Sequence, residues 1–190
     1  LFYNKLTNDS GSREDSIVMI GLKSGTVKLV QHQEEWHENA ENVISVLKQL
    51  LGDTALDIQH VGSTAICSIH AKPIIDIAVA VHNLNDILPY IEVLKRHNIV
   101  FRGEMIAGNI LFVMGSDEIR THHIHIVKWN GAEWNNYINF RDYLNTYPEK
   151  AVLYDICKQK LAVQFPNDRK SYTAGKEEMI LHLLSEAGIW

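Results

Sequence analysis

From Glu34 onward, the apolar residues Trp36, Ala40, Val43, Leu47 and Leu50 recur at helical spacing, and Gly52 follows as a stop signal, which predicts one amphipathic helix. The period then shortens. Residues 55–61 and 72–81 predict strands, and Leu84, Ile87, Leu88, Ile91 and Leu94 predict a helix beginning near Asn83. Residues 109–114 and 121–127 predict two further strands, separated by the polar turn GSDEIR. After Lys128 the pattern is helical: one helix in AEWNNYINFRDYLNTY, a second from Pro148 to about Phe165, and a third after Thr173. Strands followed by helices predict an α+β fold, a mixed sheet with a helical C-terminal part over residues 132–190.

Residues 1–18 show no sustained period, and Met19 reads as a natural start, so residues 1–26 are taken as an N-terminal extension and 27–190 as a single domain. A chain of 190 residues that is 46% hydrophobic can bury a sizeable core. Its net charge of -5 argues against an extended nucleic-acid surface or attraction to an anionic membrane, while leaving room for a local basic pocket. The two cysteines, Cys67 and Cys157, form no CxxC pair and no disulfide framework, so free thiols and a cytoplasmic setting are expected. No membrane span or signal peptide is predicted. The oligomeric state is left open.

Candidate chemistry begins in HVGSTAICSIHAKPIIDIAVAV. Gly62 at a strand end permits a sharp turn or a close approach, and Ser63 and Thr64 offer hydroxyls and backbone N–H groups to a phosphate; an ordinary capped turn is the alternative. In PIIDIAVAV, Ile75, Ile77 and Val79 share one face, while Asp76 points with Ile74, Ala78 and Ala80 toward the other. A carboxylate on such a strand needs a metal, a cation or hydrogen-bond donors. In THHIHIV, alternation puts His123 and His125 on one face, where they can converge on one ligand; binding substrate, moving a proton or bonding within the sheet are the alternatives.

The three C-terminal helices each carry one cation on the apolar stripe: Arg141, Lys158 and Lys176. A charge there needs a partner or a wet cleft, and the three can converge on phosphate groups above the Gly-Ser turn. Lys72, fixed by Pro73 after it, joins them as a candidate, with Arg102, Glu104 and Arg120 as weaker ones. GLKSG lacks the P-loop spacing and no HExxH occurs.

HVGSTAICSIHAKPIIDIAVAV, RTHHIHIV, FRDYL and KQKLAVQFPNDRKSYTAGKEEMI together resemble the GrpB family of the nucleotidyltransferase superfamily, over about residues 27–187. The resemblance implies a polymerase-beta-like fold in which a Gly-Ser turn, here Gly62-Ser63, holds nucleotide phosphates. It also implies a carboxylate-x-carboxylate strand that binds divalent metal, with Asp76 as the first carboxylate. The second position is Ala78, which removes an oxygen ligand; Glu104 is a candidate replacement. His123 and His125 resemble the family's His-x-His strand, and with Asp76 they would form a mixed site favouring a transition metal or zinc over magnesium; the expected divalent metal is magnesium or manganese, with zinc or another transition metal as the alternative. The expected activity is metal-dependent transfer of a nucleotidyl group from a nucleoside triphosphate to a small acceptor. A non-catalytic nucleotide- or phosphometabolite-binding module and a metal-dependent phosphate-ester hydrolase are the alternatives.

Overall fold

The computed structural model of the chain describes residues 20–188. In chain order the elements are β1 (Leu22–Lys23), α1 (Glu35–Leu51), β2 (Asp57–Val61), β3 (Ile75–Val81), α2 (Ile91–Arg96), β4 (Val100–Ile106), β5 (Asn109–Gly115) and β6 (Ile119–Lys128). Four helices follow: α3 (Ala132–Thr146), α4 (Pro148–Gln164), α5 (Arg169–Gly175) and α6 (Glu177–Glu186). The strands form one mixed sheet in the order β2-β3-β6-β5-β4, with β1 pairing β6 off this path. Only the β3–β6 pair along that path is parallel.

β3 lies between two strands and beneath packed side chains on both faces, which is why its sequence is almost continuously apolar. One face, built from Ile75, Ile77, Val79, Ile124, Ile126 and Phe112, packs on α1 through Trp36, Ala40, Ile44 and Leu47. The other face presents the small residues Ala78 and Ala80 with Val61 and Val127 to Trp134, Tyr137 and Ile138 of α3. A second apolar cluster, including Ile66, Ile69, Leu144, Ala151, Tyr154 and Leu183, joins the segment after β2 to α3, α4 and α6.

Several elements depart from the sequence pattern for identifiable reasons. β3 begins at Ile75 rather than residue 72, because Pro73 offers no N–H to a ladder. The helix expected from Asn83 is a 3-10 segment over Leu84–Tyr90 that becomes α-helical only in α2; Pro89 lies within the tighter segment and cannot donate to an earlier carbonyl. β4 carries Arg102 and Glu104, and two register shifts against β5 interrupt its alternation, as suits the edge of a sheet. The single helix expected after Thr173 is preceded by α5, started by the Asp168 carboxylate, which accepts from Ser171 N–H at 3.0 Å.

Of the segment read as an N-terminal extension, residues 1–19 lie outside the described residues. Gly21 N–H donates to Pro73 O, and Leu22–Lys23 pair with β6. Val27 N–H reaches Pro166 O, and Val30 and Ala71 exchange two backbone hydrogen bonds. Among the described residues no helix is long and apolar enough to cross a membrane, and Cys67 and Cys157 are both free.

Trp36 is fully buried in the face of the core opposite Asp76. Trp36→Ala is expected to lower unfolding stability by about 3–5 kcal/mol, read as a fall in the urea midpoint with little change in its slope.

Candidate functional site

The parallel register of β3 and β6 sets Asp76 opposite His123 and Ala78 opposite His125. All four side chains therefore stand on the sheet face that α3 only partly covers, as the alternation predicts. His123 Nδ1 lies 3.0 Å from Asp76 Oδ1, and His125 Nε2 lies 3.6 Å from the same oxygen. One ligand atom from each of the three residues falls within 4.8 Å of the others. Burial alone would push the Asp76 carboxyl up; hydrogen bonds from His123 and His125, with their electrostatic attraction, hold it well below the usual carboxylate range.

Gly62 is the turn residue nearest this cluster. Its φ of 71° and ψ of -170° fall in a region that essentially only glycine occupies, and a Cβ there would come within 2.5 Å of Asp76 Oδ2. The glycine is thus required by the approach of the carboxylate as well as by the turn. Ser63 follows it and forms no side-chain hydrogen bond among the described residues. Thr64 is buried, and its Oγ1 meets His60 Nε2 at 2.9 Å, so its hydroxyl secures the turn rather than facing a phosphate. Burial pushes the His60 imidazole down to about 4, leaving it neutral for that bond.

The second imidazole is held from behind. His125 Nδ1 lies 3.1 Å from Tyr137 Oη and 3.3 Å from Asn109 Oδ1, while Asn109 Nδ2 donates to Tyr137 Oη at 2.9 Å. Burial pushes the Tyr137 hydroxyl above its ordinary range, so it stays protonated. With the proton on Nδ1, Asn109 Oδ1 accepts it and an Nε2 lone pair stands beside Asp76, as a metal-binding histidine requires; with the proton on Nε2, the ring donates to Asp76 and the Tyr137 hydroxyl donates to Nδ1. Tyr137 sits on a helical stripe and Asn109 opens a strand, so neither carries a chemical signal in the sequence.

Of the four predicted basic residues, the structure brings Lys72 and Lys176 together. Their ammonium groups lie 5.3 and 4.9 Å from the ring centroid of Tyr172. Burial first, then the charges of Lys176 and Arg169, push Lys72 down to about 7. Arg169, which sequence reasoning missed, begins α5 and reaches His123 Nε2 at 3.2 Å. The signal available for it was the helix-starting Asp168 immediately before it.

The other candidates are engaged elsewhere. Lys158 is only 1% exposed; its ammonium donates to His70 O, lies 3.6 Å from Asp155 and stacks on Tyr154, and burial pushes it down to about 7. It contributes charge near Lys72 without an opening to a ligand. Arg141 donates to Gln59 Oε1 at 3.0 Å and His60 O at 2.9 Å, tying α3 to β2. Glu104 does not replace the missing carboxylate: it is exposed on the edge strand β4 and accepts from Gly108 N–H at 2.7 Å. Arg102 and Arg120 both meet Asp117, at 2.8 and 3.6 Å.

Three outcomes follow from this geometry and its charges. Gly62→Ala is expected to displace Asp76 and, if the cluster holds a metal, to weaken Co²⁺ binding, read by visible absorption, at least about tenfold. Between about pH 7 and the ordinary lysine value of 10.5, the unfolded chain holds protons that folded Lys72 and Lys158 release, so their contribution makes stability rise with pH across that window. An anion that needs charged Lys72 would reverse the balance: if sulfate, which does not titrate in this range, binds there, calorimetry in buffers of different ionisation enthalpy is expected to show proton uptake and an affinity that weakens by at most about tenfold per pH unit above 7. Lys72→Met removes most of that uptake.

Comparison with known proteins agrees with this architecture. A family profile described as "GrpB protein" matches residues 26–186. The glutamate-rich protein GrpB of Alkalihalophilus pseudofirmus is 39% identical over 173 residues, covering 88% of this chain and 99% of that one. UPF0157 protein YqkA of Bacillus subtilis is 33% identical over 86% of this chain, which spans 48% of that protein. The crystal structure of conserved protein GrpB from Enterococcus faecalis superposes with a TM-score of 0.78 at 30% identity, over 84% of this chain and 96% of that one. The Cid1 poly(U) polymerase with magnesium and 3′-dATP bound superposes with a TM-score of 0.50 at 14% identity, over 77% of this chain and 49% of that one. That likeness concerns the fold alone, which is the polymerase-beta-like nucleotidyltransferase fold. By the extent of the profile match and the identity to its members, the chain belongs to the GrpB family.

Proposed function

We propose that the protein transfers a nucleotidyl group from a nucleoside triphosphate to a small acceptor, with a divalent metal held by Asp76, His123 and His125. The observation that carries this reading is the convergence of those three side chains beside the glycine turn that ends β2. Asp76 is ionised and offers Oδ1, and His125 Nε2 faces it, so the donors fit a metal. Two imidazoles with one carboxylate favour zinc or another transition metal over magnesium. The same fold in Cid1 binds magnesium and 3′-dATP, which supports a nucleotide as the ligand class.

When bound, the metal would supply positive charge to the phosphate oxygens and lower the pKa of the attacking hydroxyl. The chain's own groups supply the rest. Lys72, Lys176 and Arg169 balance the negative charge of the triphosphate and of the departing pyrophosphate. The Ser63 hydroxyl offers a donor at the turn. Tyr137 and Asn109 fix the ring of His125, and Gly62 lets Asp76 stand where the cluster needs it.

A second reading, a nucleotide-binding module without catalysis, is favoured by Ala78. That position is fully buried against α3, and no other carboxylate joins Asp76 in the cluster among the described residues. The two readings separate when purified protein is incubated with α-labelled ATP, GTP, CTP or UTP, a metabolite pool, and Mg²⁺, Mn²⁺ or Zn²⁺. Transfer predicts a labelled product that falls at least about a hundredfold in Asp76→Asn, the scale on which one preorganised charged group acts. Nucleotide binding without product under every metal assigns the protein to the binding module, and release of inorganic phosphate without a labelled adduct assigns it to ester hydrolysis.

A further inference from the structure

The contact between Arg169 and His123 is chemically one-directional. Arginine carries only donors, so at 3.2 Å its guanidinium must donate and His123 Nε2 must supply the lone pair. A neutral imidazole then bears its proton on Nδ1, which donates to Asp76 Oδ1 at 3.0 Å. Both nitrogens of His123 are thereby consumed, and neither faces a metal with a lone pair. His125 differs, because Asn109 Oδ1 and Tyr137 Oη can accept from its Nδ1 and leave Nε2 free. For His123 Nδ1 to ligate, the proton must move to Nε2, where it would oppose the guanidinium.

Arg169 is also unneutralised. It is half-buried, makes no ion pair with a carboxylate among the described residues, and acts with Lys176 to depress Lys72. A guanidinium resting on an imidazole beside two lysines has more to gain from a phosphate than from its present partner.

We propose that Arg169 is a latch between the Lys72–Lys176 cation group and the proposed metal cluster: resting on His123 it excludes metal, and an oxyanion that draws it away frees His123 Nδ1 to ligate. This inference rests on the proposed metal role of the cluster. Anion and metal binding are then positively coupled, and by linkage each raises the affinity for the other by the same factor. Loss of one hydrogen bond to a charged donor corresponds to roughly ten- to a hundredfold.

The test uses Co²⁺ as the metal, read by visible absorption, and inorganic sulfate as a weakly chelating oxyanion. In the wild type, sulfate is expected to raise Co²⁺ affinity roughly tenfold or more. Arg169→Met is expected to bind Co²⁺ that tightly without sulfate and to lose most of the sulfate response. Lys176→Met removes an equal charge from the same group but leaves the guanidinium on His123, and gives a much smaller rise. Equal rises in the two variants would mean that charge alone is felt at the cluster, which overturns the latch. A metal-free readout comes from long-range ¹H–¹⁵N correlation: His123 is expected as the Nδ1–H tautomer in the wild type and to shift toward Nε2–H in Arg169→Met. An Nε2–H wild type overturns the latch. Co²⁺ bound identically by wild type and Arg169→Met overturns the latch while leaving the metal role of the cluster standing, and absence of Co²⁺ binding in every variant overturns both.

Discussion

The parallel pairing of β3 with β6 is the constraint on which the rest of the site depends. It places Asp76 against His123 and Ala78 against His125, and a slip of β6 by one residue would send both histidines to the face packed on α1, away from Asp76. That register is enforced from the other side of the sheet. Ile75, Ile77 and Val79 on β3 and Ile124 and Ile126 on β6 are buried against α1, so the same alternation that fills the core aims the polar groups at the face that α3 only partly covers. Packing and chemistry are two faces of one pattern.

A carboxylate with two imidazoles on one side and a group of cations on the other is an unbalanced electrostatic arrangement. The chain as a whole is acidic, yet Lys72, Lys176 and Arg169 crowd together with an aromatic ring rather than a carboxylate between the two lysines. Their mutual repulsion, added to burial, is visible in the lowered Lys72 ammonium. Other cations of the same helical region have been spent on architecture: Arg141 closes α3 onto β2, and Lys158 closes α4 onto the segment around His70. Among the described residues Lys72, Lys176 and Arg169 make no ion pair with a carboxylate, an imbalance that the negatively charged ligand of the proposed function would redress.

Much of this was legible in the sequence, because period-2 alternation fixes which residues share a sheet face. Asp76, His123 and His125 could be placed on common faces of their strands from spacing alone. What alternation cannot give is which strands are neighbours; β3 and β6 are separated by a connection that includes two other strands. Helical stripes were legible as well, but a cation on a stripe says only that it needs a partner. Arg141 found backbone and amide oxygens, Lys158 found a carbonyl and a carboxylate, and Lys176 found Tyr172. Arg169 escaped notice because α5 is short and has too few turns to show a period. Glu104 was misplaced because the bulged edge strand that carries it has no clean pattern from which to read its position.

Ala78 has a consequence that reaches past the loss of one oxygen ligand. Its methyl group is sealed between β2 and α3, with Val61 and Trp134 in the same cluster, so that side of the site is dry and closed. The three donors come from two adjacent strands, Asp76 on β3 and His123 and His125 on β6. If the proposed metal role holds, Asp76, His123 and His125 would supply three donors to an ion there and Ala78 none, so any further ligand would have to come from water or substrate.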